Sequence, residues 1–163
     1  FKLFYYHARD NGWEAVWPHL QKLGIKAIHI QRQNLLESLV SEQIAQTTKA
    51  WSTRGKPKVD APDQIELPVD VCRTYFESID KQRTEHANFF EHTHDLHYED
   101  LLTNYEGELA KVQEFLEVPI HKVTSPLRKQ SKRPVTETVS NFDQLHREFA
   151  NSPWAWFFDT ATS

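Results

Sequence analysis

The chain has 163 residues, of which 39% are hydrophobic and 26% charged, a length and composition typical of one globular domain. Its apolar runs are far shorter than the roughly 18 residues of a membrane-spanning helix, and none has the pattern of a signal peptide, so we expect a cytoplasmic protein without a membrane span. A net charge of −4 argues against a broad surface for nucleic acid, so any anion site must be a local concentration of charge.

The first 32 residues are predicted to form a strand, a helix and a second strand. The runs FKLFYYH (residues 1–7) and KAIHIQR (residues 26–32) are rich in aromatic and branched apolar residues. Between them, apolar residues recur at helical spacing at Trp13, Val16, Trp17, Leu20 and Leu23. This order predicts an α/β fold, with a parallel sheet flanked by helices.

A long helix is predicted directly after Arg32. Its apolar positions recur every three to four residues, at Leu36, Val40, Ile44, Thr47 and Trp51. Asn34, followed three residues later by Glu37, is a capping-box pattern that places the helix N-terminus just after the arginine. Residues 52–67 contain two prolines and a glycine and are predicted to be a loop.

Three more helices and one strand follow in the prediction. The first of these helices begins near Pro68 and carries on one face Val69, Cys72, Phe76, Ile79, His86 and Phe90. Cys72, the single cysteine, is expected to be a small buried hydrophobe. The run DLHYEDL (residues 95–101) is predicted to be the third strand.

The last two predicted helices lie in the C-terminal part of the chain. The apolar positions of the earlier one are Leu109, Val112 and Leu116, and it stops before Pro119. The final helix carries Phe142, Leu145 and Phe149 and is capped by Ser140 or Asn141.

An arginine and a serine lie at positions suited to an anion site. Ser41 lies seven residues beyond the cap Asn34, which places it on the same helix face and about 10 Å along the axis. Arg32, at the strand end, can supply forked donors to a phosphate and Ser41 a hydroxyl, at the sheet edge where α/β folds bind ligands. The alternative is an arginine paired with Glu37 or Glu42 and serines that face solvent. The segment alone does not decide between the two.

Two stretches carry a family resemblance, RQNLLESLVS (residues 32–41) and YEDLLTNYEGELAKVQEFLEVP (residues 98–119). Together they resemble the sulfotransferase family, in which a strand ending in Arg and Asn precedes a helix bearing Ser, and a later YEDL segment leads into a helix that finishes FL.VP. The arginine-to-serine spacing, with the tail PLRKQSKRPVTETVSNFDQL (residues 126–145), is most similar to bacterial carbohydrate sulfotransferases of the nodulation-factor type. The resemblance extends from Lys2 to Phe149.

The resemblance implies an α/β fold of the P-loop nucleotide-binding type. Sulfotransferases hold the 5′-phosphosulfate in a Gly/Ser-rich loop after their first strand, where backbone N–H groups meet the anion. That loop is missing here, since the four glycines are scattered at Gly12, Gly24, Gly55 and Gly107. We therefore expect residues 1–163 to be a single sulfotransferase-like domain, the C-terminal two-thirds of the family's domain without its first strand–loop–helix unit.

The resemblance also assigns roles to residues that bind 3′-phosphoadenosine 5′-phosphosulfate, the family's sulfuryl donor. Arg32 and Ser41 would hold its 3′-phosphate, and Tyr98 would pack by the adenine, the alternative being a core tyrosine. A basic loop would add contacts to the same phosphate. Four cations lie within six residues there, and Arg128 and Lys129 are the preferred pair over Lys132 and Arg133. The alternative for this loop is a solvated run of charge.

Histidines raise two further questions. His7 occupies a place comparable to the histidine that deprotonates the acceptor in animal cytosolic relatives, although the spacing differs, and it is the candidate catalytic base. His92, His94 and His97 lack a cysteine partner and straddle a helix end and a strand, so no metal is expected.

These features predict a sulfotransferase that transfers a sulfuryl group to a hydroxyl, on a small molecule or a carbohydrate. The alternative is a non-catalytic, truncated sulfotransferase-like module that binds a protein or a nucleotide. An open sheet edge would allow a homo-oligomer. The loop at residues 52–67 is a candidate part of the acceptor pocket, and the identity of the acceptor is left open.

Overall fold

A parallel pair of strands, β1 (Lys26–Gln31) and β2 (His92–His97), forms the sheet that the described residues contain. The computed structural model describes residues 2–4, 7, 13–49, 62–124 and 133–159. The register pairs each residue of β1 with its counterpart in β2, from Lys26 opposite His92 to Gln31 opposite His97. These two strands run parallel, and the predicted α/β fold of the P-loop type stays a prediction.

Within the described residues the helices are α1 (Val16–Lys22), α2 (Leu35–Thr48), α3 (Val69–His86), α4 (Tyr98–Thr103), α5 (Tyr105–Phe115), α6 (Val135–Thr138), α7 (Phe142–Phe149) and α8 (Trp156–Asp159). The predictions for α2, α3, α5 and α7 are confirmed to within a few residues. None of the helices described here is long and apolar enough to cross a membrane.

The chain divides into two compact units. The sheet unit comprises Phe1–Gln33 and Ser78–Val123, and the helical unit comprises Asn34–Glu77 and Thr124–Ser163. The sheet unit contains both strands with α1, α4, α5 and the second half of α3.

Aromatic and ionic contacts join the helices and strands of the sheet unit. The ring of Trp17 in α1 lies 5.6 Å from that of Phe89, just after α3. On β2, His94 stacks on Phe115 of α5 with ring centroids 5.4 Å apart. Lys26 Nζ donates to the Phe115 carbonyl at 2.7 Å and pairs with Glu117 at 2.8 Å. The end of α5 is therefore fixed to the start of β1.

The helical unit is built around aromatic side chains. Phe76 is fully buried, and its ring contacts those of Phe149, Trp154 and Phe157 at 5.2–5.7 Å between centroids. Cys72, one turn earlier on α3, is also fully buried, as predicted, and burial raises the pKa of its thiol to about 11. A thiol of that pKa stays protonated and unreactive at neutral pH.

Asn34 caps α2 as predicted and has a second role. Its side-chain oxygen accepts a hydrogen bond from the backbone N–H of Glu37 at 3.1 Å, which satisfies one of the open donors at the helix start. Its side-chain nitrogen donates to the carbonyl of Phe157 at 2.9 Å, and the residue is only 5% exposed. The cap therefore also ties α2 to α8.

Three predicted features differ from the structure. Residues 2–4 have no regular structure and His7 lies in a turn, so the first predicted strand is wrong for these residues. The third strand begins at His92 instead of residue 95 and ends before Tyr98, which starts a helix. Asn141 precedes α7, but its side chain bonds both the N–H and the carbonyl of Leu67 and makes no cap hydrogen bond.

Candidate functional site

Arg32 and Tyr98 meet at the carboxyl edge of the sheet. Gln31 and His97 are the last register pair of the two strands, so the next residues of both strands lie at the same edge. The Arg32 guanidinium lies over the Tyr98 ring, 4.2 Å from its centroid, a cation–π contact. Two residues that the resemblance assigns to one ligand are thus neighbours in space.

Two charged side chains form hydrogen bonds with the peptide group between Arg32 and Gln33. Arg83 of α3 donates to the carbonyl of Arg32. The N–H of Gln33 donates to Glu99 of α4 and lies 3.0 Å from each carboxylate oxygen. Sequence reasoning missed both contacts, although Glu99 lies within the YED motif that was singled out.

A polar cluster lies on one face of the sheet, just before this edge. The Nδ1 atom of His29 is 2.9 Å from a carboxylate oxygen of Asp95, its register partner, and Gln31 donates to the same oxygen at 3.3 Å. The side-chain nitrogen of Gln31 also lies 3.0 Å from the same Nδ1 atom. The side chain of His29 is 12% exposed.

Burial lowers the pKa of His29 below its ordinary value of 6.5. Arg83 and His86, which face it from α3, act in the same direction, whereas the hydrogen bond and the charge of Asp95 oppose the shift. The Asp95 contact would favour the charged ring, and burial outweighs it because so little of the imidazole reaches water. His29 is therefore neutral at neutral pH.

The protein is expected to lose stability in mild acid, because the unfolded chain binds a proton at His29 more readily than the folded protein does. Because the pKa is lower in the folded state, the unfolded chain takes up a proton first as the pH falls through 6.5. The contribution of His29 to the free energy of unfolding is complete above pH 6.5 and falls as the pH approaches the folded pKa. Urea unfolding between about pH 7.5 and 5 should therefore show a shallower pH dependence for His29→Gln than for the wild type.

The control for this measurement is His19→Gln, which removes an exposed histidine on α1 of the same unit. It should leave the pH dependence near that of the wild type. An identical pH dependence for His29→Gln and the wild type would contradict the assignment of a neutral, buried His29.

The remaining predicted site residues are spread over the chain. Ser41 is exposed on α2 in the helical unit, whereas Arg32 and Tyr98 belong to the sheet unit. Arg128 and Lys129 lie outside the described residues. Arg133, in the same basic run, pairs with Asp63 at 3.1 Å. The predicted phosphate contacts of Ser41, Arg128 and Lys129 stay predictions.

His7, the predicted base, is exposed, and its Nδ1 atom accepts a long contact of 3.4 Å from the N–H of Phe4. Its role as a base stays a prediction.

Strand geometry separates the three neighbouring histidines. Side chains alternate between the two faces of a strand, so His92 and His94 share one face of β2 and His97 lies on the other. In the described part of the chain, no group of three or more His, Cys, Asp or Glu residues could hold a metal ion.

Comparison with curated proteins gives clear matches. The chain is 34% identical over 151 residues to a Rhizobium meliloti protein named nodulation protein H, an alignment covering 90% of the chain. It is 33% identical over 140 residues to the protein of the same name from Rhizobium tropici, covering 83% of the chain. The chain is similar to nodulation protein H. It spans 59% and 55% of the length of these two nodulation proteins. No family model and no solved structure matches the chain.

Proposed function

We propose that the chain is part of a sulfotransferase that moves a sulfuryl group from 3′-phosphoadenosine 5′-phosphosulfate to a hydroxyl of a carbohydrate. The similarity to nodulation protein H supports this, because curated relatives of that name are sulfotransferases. It agrees with the family resemblance of the two motifs at residues 32–41 and 98–119.

The observation that carries the proposal is the contact between Arg32 and Tyr98. The two residues lie far apart in the sequence and come together where α/β sheets generally bind ligands, beyond the carboxyl ends of parallel strands. A planar guanidinium can make two parallel hydrogen bonds to a phosphate. In the proposed site Arg32 binds the 3′-phosphate, with Ser41, Arg128 and Lys129 adding donors, and Tyr98 packs by the adenine.

The proposed chemistry is an in-line displacement at sulfur. The acceptor oxygen forms a bond to sulfur while the bond from sulfur to the oxygen of the 5′-phosphate breaks. The products are a sulfate ester and adenosine 3′,5′-bisphosphate, which keeps the bonding electron pair. The acceptor's proton passes to a base, for which His7 is the candidate. Cations near the nucleotide stabilise the negative charge that develops on the leaving phosphate.

Transfer of radiolabelled sulfur tests the proposal. The complete natural protein is incubated with the labelled donor and a panel of hydroxyl-bearing oligosaccharides. We expect label in at least one oligosaccharide, with one adenosine 3′,5′-bisphosphate formed for each sulfate transferred. Binding of the nucleotide without transfer to any member of a broad panel would favour the non-catalytic binding module instead.

A further inference from the structure

The peptide group between Arg32 and Gln33 is held at both of its polar ends. Its carbonyl accepts from the guanidinium of Arg83, and its N–H donates to the carboxylate of Glu99. Arg83 comes from α3 and Glu99 from the first turn of α4, so two separate helices fix one peptide group.

Charge strengthens both contacts. A peptide group is negative at its oxygen and positive at its N–H, so a cation at the first and a carboxylate at the second are both favourable. The Arg83 side chain is 25% exposed and Glu99 is half-buried, which limits competition from water. Hydrogen bonds to charged groups are stronger than those between neutral groups.

The orientation of this peptide group fixes the backbone conformation of Arg32, the residue before it. The plane of the Arg32–Gln33 peptide sets the ψ angle of Arg32, and a rotation there would change how the residue leaves the strand. Tyr98 meanwhile contacts the far end of the same side chain. The backbone of Arg32 and its guanidinium are thus restrained separately.

We propose that Arg83 and Glu99 are positioning residues, which orient Arg32 for binding the 3′-phosphate of a nucleotide. The inference rests on the proposed function, and neither residue needs to contact the ligand. Their role is to prevent rotation of one peptide group, so that the arginine is ordered before the nucleotide arrives.

Titration calorimetry on the complete natural protein tests the role of Glu99. Adenosine 3′,5′-bisphosphate and 5′-AMP are titrated into the wild type, Glu99→Ala and Asp100→Ala. The last is the matched control, because it removes an exposed carboxylate from the same turn of α4. We expect Glu99→Ala to weaken bisphosphate binding by about tenfold and to leave 5′-AMP binding unchanged. Asp100→Ala should bind both nucleotides like the wild type.

Substitutions of Arg83 test the other end of the peptide. Arg83→Ala should cause a selective loss of similar size, and Arg83→Lys should recover part of it, since lysine can still donate to a carbonyl. The two side chains act through one peptide group. The fold-loss of bisphosphate affinity in the double variant Arg83→Ala/Glu99→Ala should therefore be smaller than the two single fold-losses multiplied together.

The outcomes separate this inference from the proposed function. If the wild type prefers the bisphosphate and Glu99→Ala keeps the full preference, the positioning role is overturned and the proposed function stands. If Glu99→Ala and the milder Glu99→Gln weaken both nucleotides equally, Glu99 is merely structural and the inference is also overturned. If the wild type shows no preference, the proposed function fails and this inference fails with it.

Discussion

Replacing Phe76 with alanine is expected to destabilise the protein by about 3–5 kcal/mol. The ring is fully buried in α3 and contacts the aromatic rings of Phe149, Trp154 and Phe157. Its removal loses the transfer free energy of the ring and leaves a cavity that bulky, interlocked neighbours cannot close. The aromatic pairs add their own geometric preference to this loss.

Urea unfolding of Phe76→Ala, Phe76→Leu and Val71→Ala measures the effect. Val71 lies on the same helix and is 40% exposed, so its truncation should cost less than about 1 kcal/mol. Leucine fills part of the cavity and should recover part of the stability. A loss for Phe76→Ala no larger than that for Val71→Ala would contradict the description of this aromatic core.

Replacing Arg32 with alanine is expected to weaken binding of adenosine 3′,5′-bisphosphate by roughly tenfold to a hundredfold. Hydrogen bonds to charged groups contribute about 1.5–3 kcal/mol, and Arg32 is the proposed ligand of the 3′-phosphate. Binding of 5′-AMP should hardly change, since it has no 3′-phosphate. Arg32→Lys should recover only part of the loss, because an ammonium cannot reproduce the forked donors or stack as well on Tyr98.

Arg73→Ala is a matched control for this experiment. Arg73 also lies over an aromatic ring, 5.2 Å from the centroid of Phe149, but in the helical unit. Arg73→Ala removes one positive charge and one cation–π contact, as Arg32→Ala does. Equal losses of bisphosphate affinity for Arg32→Ala and Arg73→Ala would indicate a general effect of charge and would contradict a specific site at Arg32.

The elements predicted correctly are those with a strong local signal. The apolar spacing of α3 and α5 and the pair Asn34 and Glu37 before α2 identify helices without reference to the rest of the chain. β1 reads KAIHIQ, with isoleucine at alternate positions 28 and 30, and ends at Gln31, one residue before the arginine.

The errors lie where structure depends on distant partners. The aromatic run at residues 1–7 has strand propensity, but a strand also needs a neighbour to pair with, and residues 2–4 have no strand assignment. β2 reads HTHDLH and lacks the alternation of apolar residues that marks a strand. Glu99 and Asp100, two acidic residues in one turn, were a missed indication that a helix starts at Tyr98.

The candidate site was predicted only in part, for a related reason. Arg32 was identified from its position at a strand end and Tyr98 through a family resemblance, and the register of two parallel strands explains why they meet. Arg83 and Glu99 were missed because they bond to backbone groups, and such contacts follow no sequence spacing. The P-loop type of fold and a shared phosphate site for Arg32 and Ser41 stay predictions.

A titration of the wild-type natural protein with adenosine 3′,5′-bisphosphate and with 5′-AMP under identical conditions tests the 3′-phosphate site at Arg32 most directly. The two ligands differ only in the 3′-phosphate that Arg32 is proposed to bind. We expect a tenfold or greater preference for the bisphosphate, about 1.4 kcal/mol or more. Equal affinities for the two nucleotides would contradict a 3′-phosphate site at Arg32 and, with it, the proposed sulfotransferase function.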